Sequence, residues 1–148
     1  MTGQPAHPRR LLIHTDGAAR GNPGPAGAGA VLRDADGRVV AEIAEPLGRA
    51  TNNVAEWTAV QLALEEAVRL GATHVDLRMD SQLVARQIAG IYRVKHPDLL
   101  PLHRQVMRLL GRFRGYSVGH VPRELNKDAD RLSNVAIDSP GAAMGGDL

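Results

Sequence analysis

Up to residue 50 the apolar residues of this chain fall in short β-prone runs; from Thr51 they take up helical spacing and then alternate between the two periods. Leu11-Leu12-Ile13-His14-Thr15 reads as a buried strand bounded by Asp16-Gly17. Ala28–Leu32 and Arg38–Ala44 read as two more strands, joined around Asp34-Ala35-Asp36-Gly37, because Asp-Gly between apolar runs marks a hairpin. Residues 17–29 carry glycines at 17, 21, 24, 27 and 29 and prolines at 23 and 25, which is the chemistry of a loop. Thr51–Leu70 is the clearest helix, with Gly71 as its C-terminal cap. Val75, Leu77 and Met79 alternate with polar residues in a fourth strand ending at Asp80. Ser81–Ala89 and Leu99–Phe113 read as helices, Tyr116–Val121 as a fifth strand stopped by Pro122, and Leu125–Ile137 as a last helix. The order βββαβααβα gives an α/β sandwich around one mixed sheet. A length of 148 residues fits one domain. Residues 1–9 are expected to be flexible, 10–138 to form the domain, and the Gly- and Ala-rich 139–148 to be disordered.

Several function classes fall away on composition. With 43% hydrophobic and 23% charged residues the chain resembles ordinary core-forming proteins. It has no apolar run approaching the roughly 18 residues of a transmembrane helix, so no membrane partner is expected. No apolar stretch follows the basic residues near the start, which argues against a secretory signal. Cysteine is absent, removing disulfide scaffolds, thiol catalysis and cysteine-bound zinc. A reducing, cytoplasmic setting is the matching expectation. No protein partner is evident. Net charge is only +2, so any nucleic-acid footprint must come from how charge is distributed. Between Ser81 and Arg114 the basic residues Arg86, Arg93, Lys95, Arg104, Arg108, Arg112 and Arg114 face one acid, Asp98. That stretch is either a pair of solvated helix faces or a phosphate-binding surface.

The acids at element ends carry the chemistry. Asp16 closes the first strand, where Asp-Gly is also a common turn pair. Asp80 ends the fourth strand, either as a helix N-cap or at the strand ends where α/β sheets gather ligands. Glu56 shares a helical stripe with Val60, Ala63 and Ala67. It is either a buried carboxylate needing a partner or one half of an Asn53–Glu56 capping box. Asp128 and Asp130 lie roughly 200° apart on the last helix, so one of them at most faces a given site. Acids gathered from separate elements repel one another unless a cation neutralises them, and oxygen-only ligands favour Mg²⁺ or Mn²⁺.

Several runs then follow in order: Thr15-Asp16-Gly17-Ala18, Gly21-Asn22-Pro23-Gly24-Pro25-Ala26-Gly27, Thr51-Asn52-Asn53-Val54-Ala55-Glu56 and Asp80-Ser81-Gln82. His120-Val121-Pro122-Arg123-Glu124-Leu125-Asn126 and Ala129-Asp130-Arg131-Leu132 complete the set. In this the chain resembles type 1 ribonuclease H over about residues 10 to 137. The resemblance implies an α/β ribonuclease H-like fold, with a five-stranded mixed sheet and helices on both faces. It implies a catalytic domain over 10–138 that cuts the RNA strand of RNA–DNA hybrids with two Mg²⁺ ions, Mn²⁺ being an alternative. The products implied are a 5′-phosphate and a 3′-hydroxyl. By matched position it assigns the metal ligands to Asp16, Glu56, Asp80 and Asp130, and a proton-shuttling or product-releasing histidine to His120.

It further implies substrate contacts at Asn22, Asn52, Asn53 and Gln82, whose amides suit 2′-hydroxyls and minor-groove edges. The stretch 90–97 is too short for the basic, tryptophan-containing protrusion of better-known bacterial members. Arg93 and Lys95, with the arginines of 99–114, must then grip the substrate. Short members of the family sometimes accept RNA–RNA duplexes, so double-stranded RNA is a second candidate partner. The alternatives are a non-catalytic hybrid-binding module and another nuclease of the same fold. Four retained acids speak against a pure binder, and the Asn-Pro-Gly-Pro run fits resolvases and exonucleases poorly.

Overall fold

A computed structural model describes residues 8–138. In chain order the elements are β1 (Arg10–Ala19), β2 (Gly24–Arg33), β3 (Val39–Ala50), α1 (Asn52–Arg69), β4 (His74–Met79), α2 (Gln82–Ile88), α3 (Leu100–Leu110), β5 (Gly115–His120) and α4 (Lys127–Asp138). The strands form one sheet in the order β3-β2-β1-β4-β5. β1, β2 and β3 pair antiparallel, whereas β4 runs parallel to both β1 and β5. This is the mixed five-stranded sheet expected from the sequence. α1 lies on one face with α3 packed against it, and α4 covers β1–β3 on the other.

The alternation along β1 sorts its side chains between those two layers. Leu11 and Ile13 face α1 and join Leu32, Trp57, Val60, Leu64, Leu77, Val84, Val106 and Leu110 in the core. Trp57 is fully buried, and its indole N–H donates to Gln87 Oε1 at 3.3 Å, so the polar end of the ring is satisfied. Asp16 lies on the opposite face, against α4.

The glycine-rich segment departs from expectation. It is strand, not loop, apart from the tip at residues 20–23. Glycine is needed there because helices rest on the strands at backbone contact. A Cβ on Gly17 would lie 2.2 Å from the carbonyl carbon of Ala55 in α1. On Gly29 it would lie 2.4 Å from Ala129 O, and on Gly27 2.4 Å from Ser133 O, both in α4. β3 also runs on to Ala50 instead of stopping at Ala44, since the longer β2 offers it partners down to Gly24↔Ala50. Pro46 is tolerated because β3 is an edge strand.

Helix ends show smaller differences. Thr51, left in extended geometry at the end of β3, caps α1 by accepting the Val54 N–H at 3.2 Å. The Asn53–Glu56 capping box therefore does not form, and Glu56 sits past the cap. Gly71 closes the helix region at φ +78° as expected. The last helix begins at Lys127 and not at Leu125. A 3-10 turn over Arg123–Leu125 precedes it, and buried Asn126 donates to Thr15 O at 2.9 Å, tying the junction to β1. Arg9 is held by Thr73, whose Oγ1 accepts its N–H at 2.8 Å. The expectations for residues 1–7 and for the 139–148 tail lie outside the described residues. Among the described residues no helix is long and apolar enough to cross a membrane.

The close approaches make a stability prediction. Gly29→Ala should destabilise the protein by about 3 kcal/mol, since backbone atoms must move to admit the methyl group. Gly111→Ala should be neutral or stabilising by up to about 1 kcal/mol, because its φ of −67° and its nearest contact at 3.4 Å suit alanine. Urea denaturation of both variants checks the contrast.

Candidate active site

Parallel pairing of β1 with β4 sets Thr15 beside Met79. Asp80 directly follows β4, and Asp16 is the next residue of β1, which runs on to Ala19 instead of closing at Asp16. The two acids therefore come together beside the carboxyl end of β4, where ligand sites of open α/β sheets lie. Glu56 arrives from α1, because Gly17 lets the Ala55–Glu56 backbone rest on β1. One carboxylate oxygen from each of Asp16, Glu56 and Asp80 lies within 4.8 Å of the others. Asp130, on α4, lies outside this group of three but close enough to raise the pKa of Asp16. Asp128 turns away and pairs with Arg33 at 2.7 Å.

The electrostatics follow from burial. Asp16 is only 8% exposed, and its pKa rises to about 8. Burial is the main cause, with Asp80 and Asp130 adding to it and the Ser133 hydroxyl opposing it. Glu56 rises to about 7 through burial and the charge of Asp80, against a hydrogen bond from Ser81. Asp76, Asp128 and Asp138 have arginine partners, whereas among the described residues no ion pair joins a basic group to Asp16 or Glu56. Oxygen-only donors brought together from three elements without a counter-charge fit a hard divalent cation, Mg²⁺ or Mn²⁺.

Neighbouring polar groups hold the acids. Ser81 accepts the Val84 N–H at 3.2 Å as cap of α2 while bonding Glu56. Ser133 Oγ lies 3.1 Å from Asp16 Oδ2. Asn134 donates to Asp130 Oδ1 at 3.3 Å and accepts from Arg20 at 2.9 Å, and Arg20 also pairs with Asp138. Ser133 and Asn134 are site residues that sequence reasoning missed. The available signal was their position three and four residues after Asp130, one turn along the same helix face.

The other sequence-derived site residues are spread around this cluster. His120 is exposed at the end of β5, and its strand partner is Met79, one residue before Asp80. Asn22 and Asn52 join the β1–β2 tip to α1: Asn52 Oδ1 accepts the Ala19 N–H at 2.9 Å, and Asn22 Oδ1 accepts the Asn52 N–H at 3.1 Å. Asn53 and Gln82 are exposed in the first turns of α1 and α2. Arg93 and Lys95 are exposed between α2 and α3.

Fold and site together define an α/β domain with a carboxylate cluster where β4 ends beside its parallel neighbour β1. Residues 14–136 match a family model described as reverse transcriptase-like. Ribonuclease HI of Halobacterium salinarum is 46% identical over 135 residues, covering 91% of this chain and 68% of that protein. The solved structure of that archaeon's ribonuclease H1 has a TM-score of 0.85 and covers 87% of this chain and 98% of its own. A bifunctional protein of Mycobacterium tuberculosis is 48% identical over 139 residues, 93% of this chain. The match spans only 38% of that protein's length. Its solved N-terminal ribonuclease H domain has a TM-score of 0.85 at 50% identity, covering 87% of this chain and 99% of that one. A ribonuclease H1 from compost, solved with an RNA/DNA hybrid, is 41% identical with a TM-score of 0.83, covering 88% and 98% of the two chains. The chain belongs to the ribonuclease H family.

The raised Asp16 pKa makes metal-free stability pH-dependent. Between its ordinary value of 3.8 and about 8 the folded state keeps a proton that the unfolded chain releases. That contribution is fully present below 3.8 and is lost as pH rises through about 8, so stability falls with pH over the interval. Asp16→Asn removes the effect. In chelator at pH 8 this variant should be more stable than the native protein by on the order of 1–3 kcal/mol, and its pH dependence should be flatter. Urea denaturation at pH 5 and pH 8 checks both.

Proposed function

We propose that this chain is a metal-dependent endonuclease that hydrolyses the RNA strand of RNA–DNA hybrids and leaves 5′-phosphate and 3′-hydroxyl ends. The observation that carries the proposal is the convergence of Asp16, Glu56 and Asp80 within 4.8 Å, with Asp130 against Asp16. The compost relative solved with an RNA/DNA hybrid supports the substrate class. Asp16, Glu56, Asp80 and Asp130 would hold two Mg²⁺ ions, with Mn²⁺ able to substitute. Such ions, when bound, supply positive charge for in-line attack of water on the scissile phosphate.

The remaining work of the protein is placement. Asn53 and Gln82, exposed beside the acids' own elements, offer amides that both donate and accept at 2′-hydroxyls and minor-groove edges. Asn22 and Asn52 use their carbonyl oxygens within the protein and present Nδ2 donors to the duplex. His120, exposed near Asp80, carries a proton or eases product release. Arg93 and Lys95 hold backbone phosphates, in a chain too short between α2 and α3 for a protruding basic arm.

End-labelled RNA–DNA, RNA–RNA and DNA–DNA duplexes with Mg²⁺ or chelator test this directly. Cleavage confined to RNA strands, dependent on the metal and ending in 3′-hydroxyls, is expected, with RNA–RNA cut more slowly than the hybrid. Binding without cleavage would establish a hybrid-binding module instead. Asp80→Asn should lower the rate by on the order of 1,000-fold while the fold persists, since several kcal/mol of transition-state charge stabilisation depends on the site.

Neutralising Arg93 and Lys95 together should weaken hybrid binding equally across sequences. It should also reduce the slope of log affinity against log salt by about 2. An unchanged slope would remove both residues from the substrate surface.

A further inference from the structure

Ser133 is fully buried on α4 and lies against both β1 and β2. Two glycines of β2 fix its backbone. A Cβ on Gly27 would lie 2.4 Å from its carbonyl oxygen, and one on Gly29 2.5 Å from its amide nitrogen. Gly29 is the strand partner of Asp16 and Gly27 that of Ala18. The serine is therefore clamped over β2, beside the first carboxylate of the site on β1.

Its hydroxyl has two acceptors in reach, Asp130 O at 2.8 Å and Asp16 Oδ2 at 3.1 Å. A hydroxyl has one proton to donate, so it serves one acceptor at a time. The bond to the helix carbonyl is ordinary for a buried serine and would satisfy it alone. The second acceptor comes from another element and is not required by the helix. Alanine would fill the position with no polar group to satisfy.

We propose that Ser133 is a positioning residue for the cation site: by holding one oxygen of Asp16 it fixes how that carboxylate faces Glu56 and Asp80. This rests on the assignment of those acids as ligands of a divalent cation. Groups that orient a ligating side chain change metal affinity by about 10–100-fold when removed. Ser133→Ala should therefore weaken Mg²⁺ binding and leave the fold standing.

The test is an NMR titration of the full chain with Mg²⁺ alone, read at the carboxyl carbons, beside thermal unfolding in chelator. Wild type should show a saturable shift that Asp80→Asn abolishes. Ser133→Ala should raise the Kd by about 10-fold. Thr58→Ala is the control: its hydroxyl donates to Val54 O at 2.7 Å in the same helix-internal manner, with no carboxylate bonded to it, and its Kd should not change. An equal Kd for Ser133→Ala and wild type would overturn the positioning role and leave the ligand assignment intact. A weakened Kd accompanied by a fall of more than about 10 °C in the unfolding midpoint would also overturn it, because one hydrogen bond accounts for far less. A wild-type chain with no saturable shift would overturn the ligand assignment, and the role of Ser133 with it.

Discussion

Backbone contact between helix and strand at Gly17, Gly27 and Gly29 determines where the acids of this protein lie. A side chain at any of the three would overlap helix backbone at under 2.5 Å. With hydrogen there instead, α1 and α4 settle onto opposite faces of the sheet. The Ala55–Glu56 backbone then rests on β1 from one side, and Ala129–Ser133 rests on β2 from the other. Parallel pairing of β1 with β4 supplies the remaining pair, Asp16 and Asp80. Carboxylates distant in sequence are thereby brought within reach of one another by packing, with no attraction between them.

That arrangement works against itself electrostatically. Burial and the neighbouring acids lift Asp16 to about 8, and burial lifts Glu56 to about 7. Elsewhere the chain neutralises acids with arginines, at Asp76, Asp128 and Asp138. Among the described residues the donors at the cluster are neutral, Ser81 to Glu56, Ser133 to Asp16 and Asn134 to Asp130. Neutral donors orient a carboxylate without consuming its charge, which leaves that charge available to a cation. The core around Trp57 and the clamped helices offset the repulsion in the metal-free state.

The element order and the acids at strand and helix ends were legible because they rest on hydrophobic period and on residue type. The glycine segment was not. Glycine and alanine alternate along 26–30 with little difference in hydropathy, so the strand period of β2 is hidden, and the sequence of small residues reads as loop. The cap of α1 was ambiguous because the sequence also allowed an Asn53–Glu56 capping box, and the choice of Thr51 is made by how far β3 pairs with β2, a tertiary matter. Helical phase showed that Asp128 and Asp130 point apart. Which of them meets Asp16 depends on Arg33 holding Asp128 from a neighbouring strand. Ser133 escaped notice because a helical serine ordinarily bonds its own helix, and the strand that brings Asp16 beside it lies 117 residues away in sequence.

The central claim is that glycine-permitted packing builds a cation site from Asp16, Glu56 and Asp80, with Asp130 beside it. A crystal of the full chain soaked in Mn²⁺ and measured at the manganese absorption edge tests it most directly. The account predicts an anomalous peak bounded by oxygens of Asp16, Glu56 and Asp80, absent from Asp80→Asn crystals treated identically. Manganese bound elsewhere, or those three carboxylates turned apart in the crystal, would contradict it.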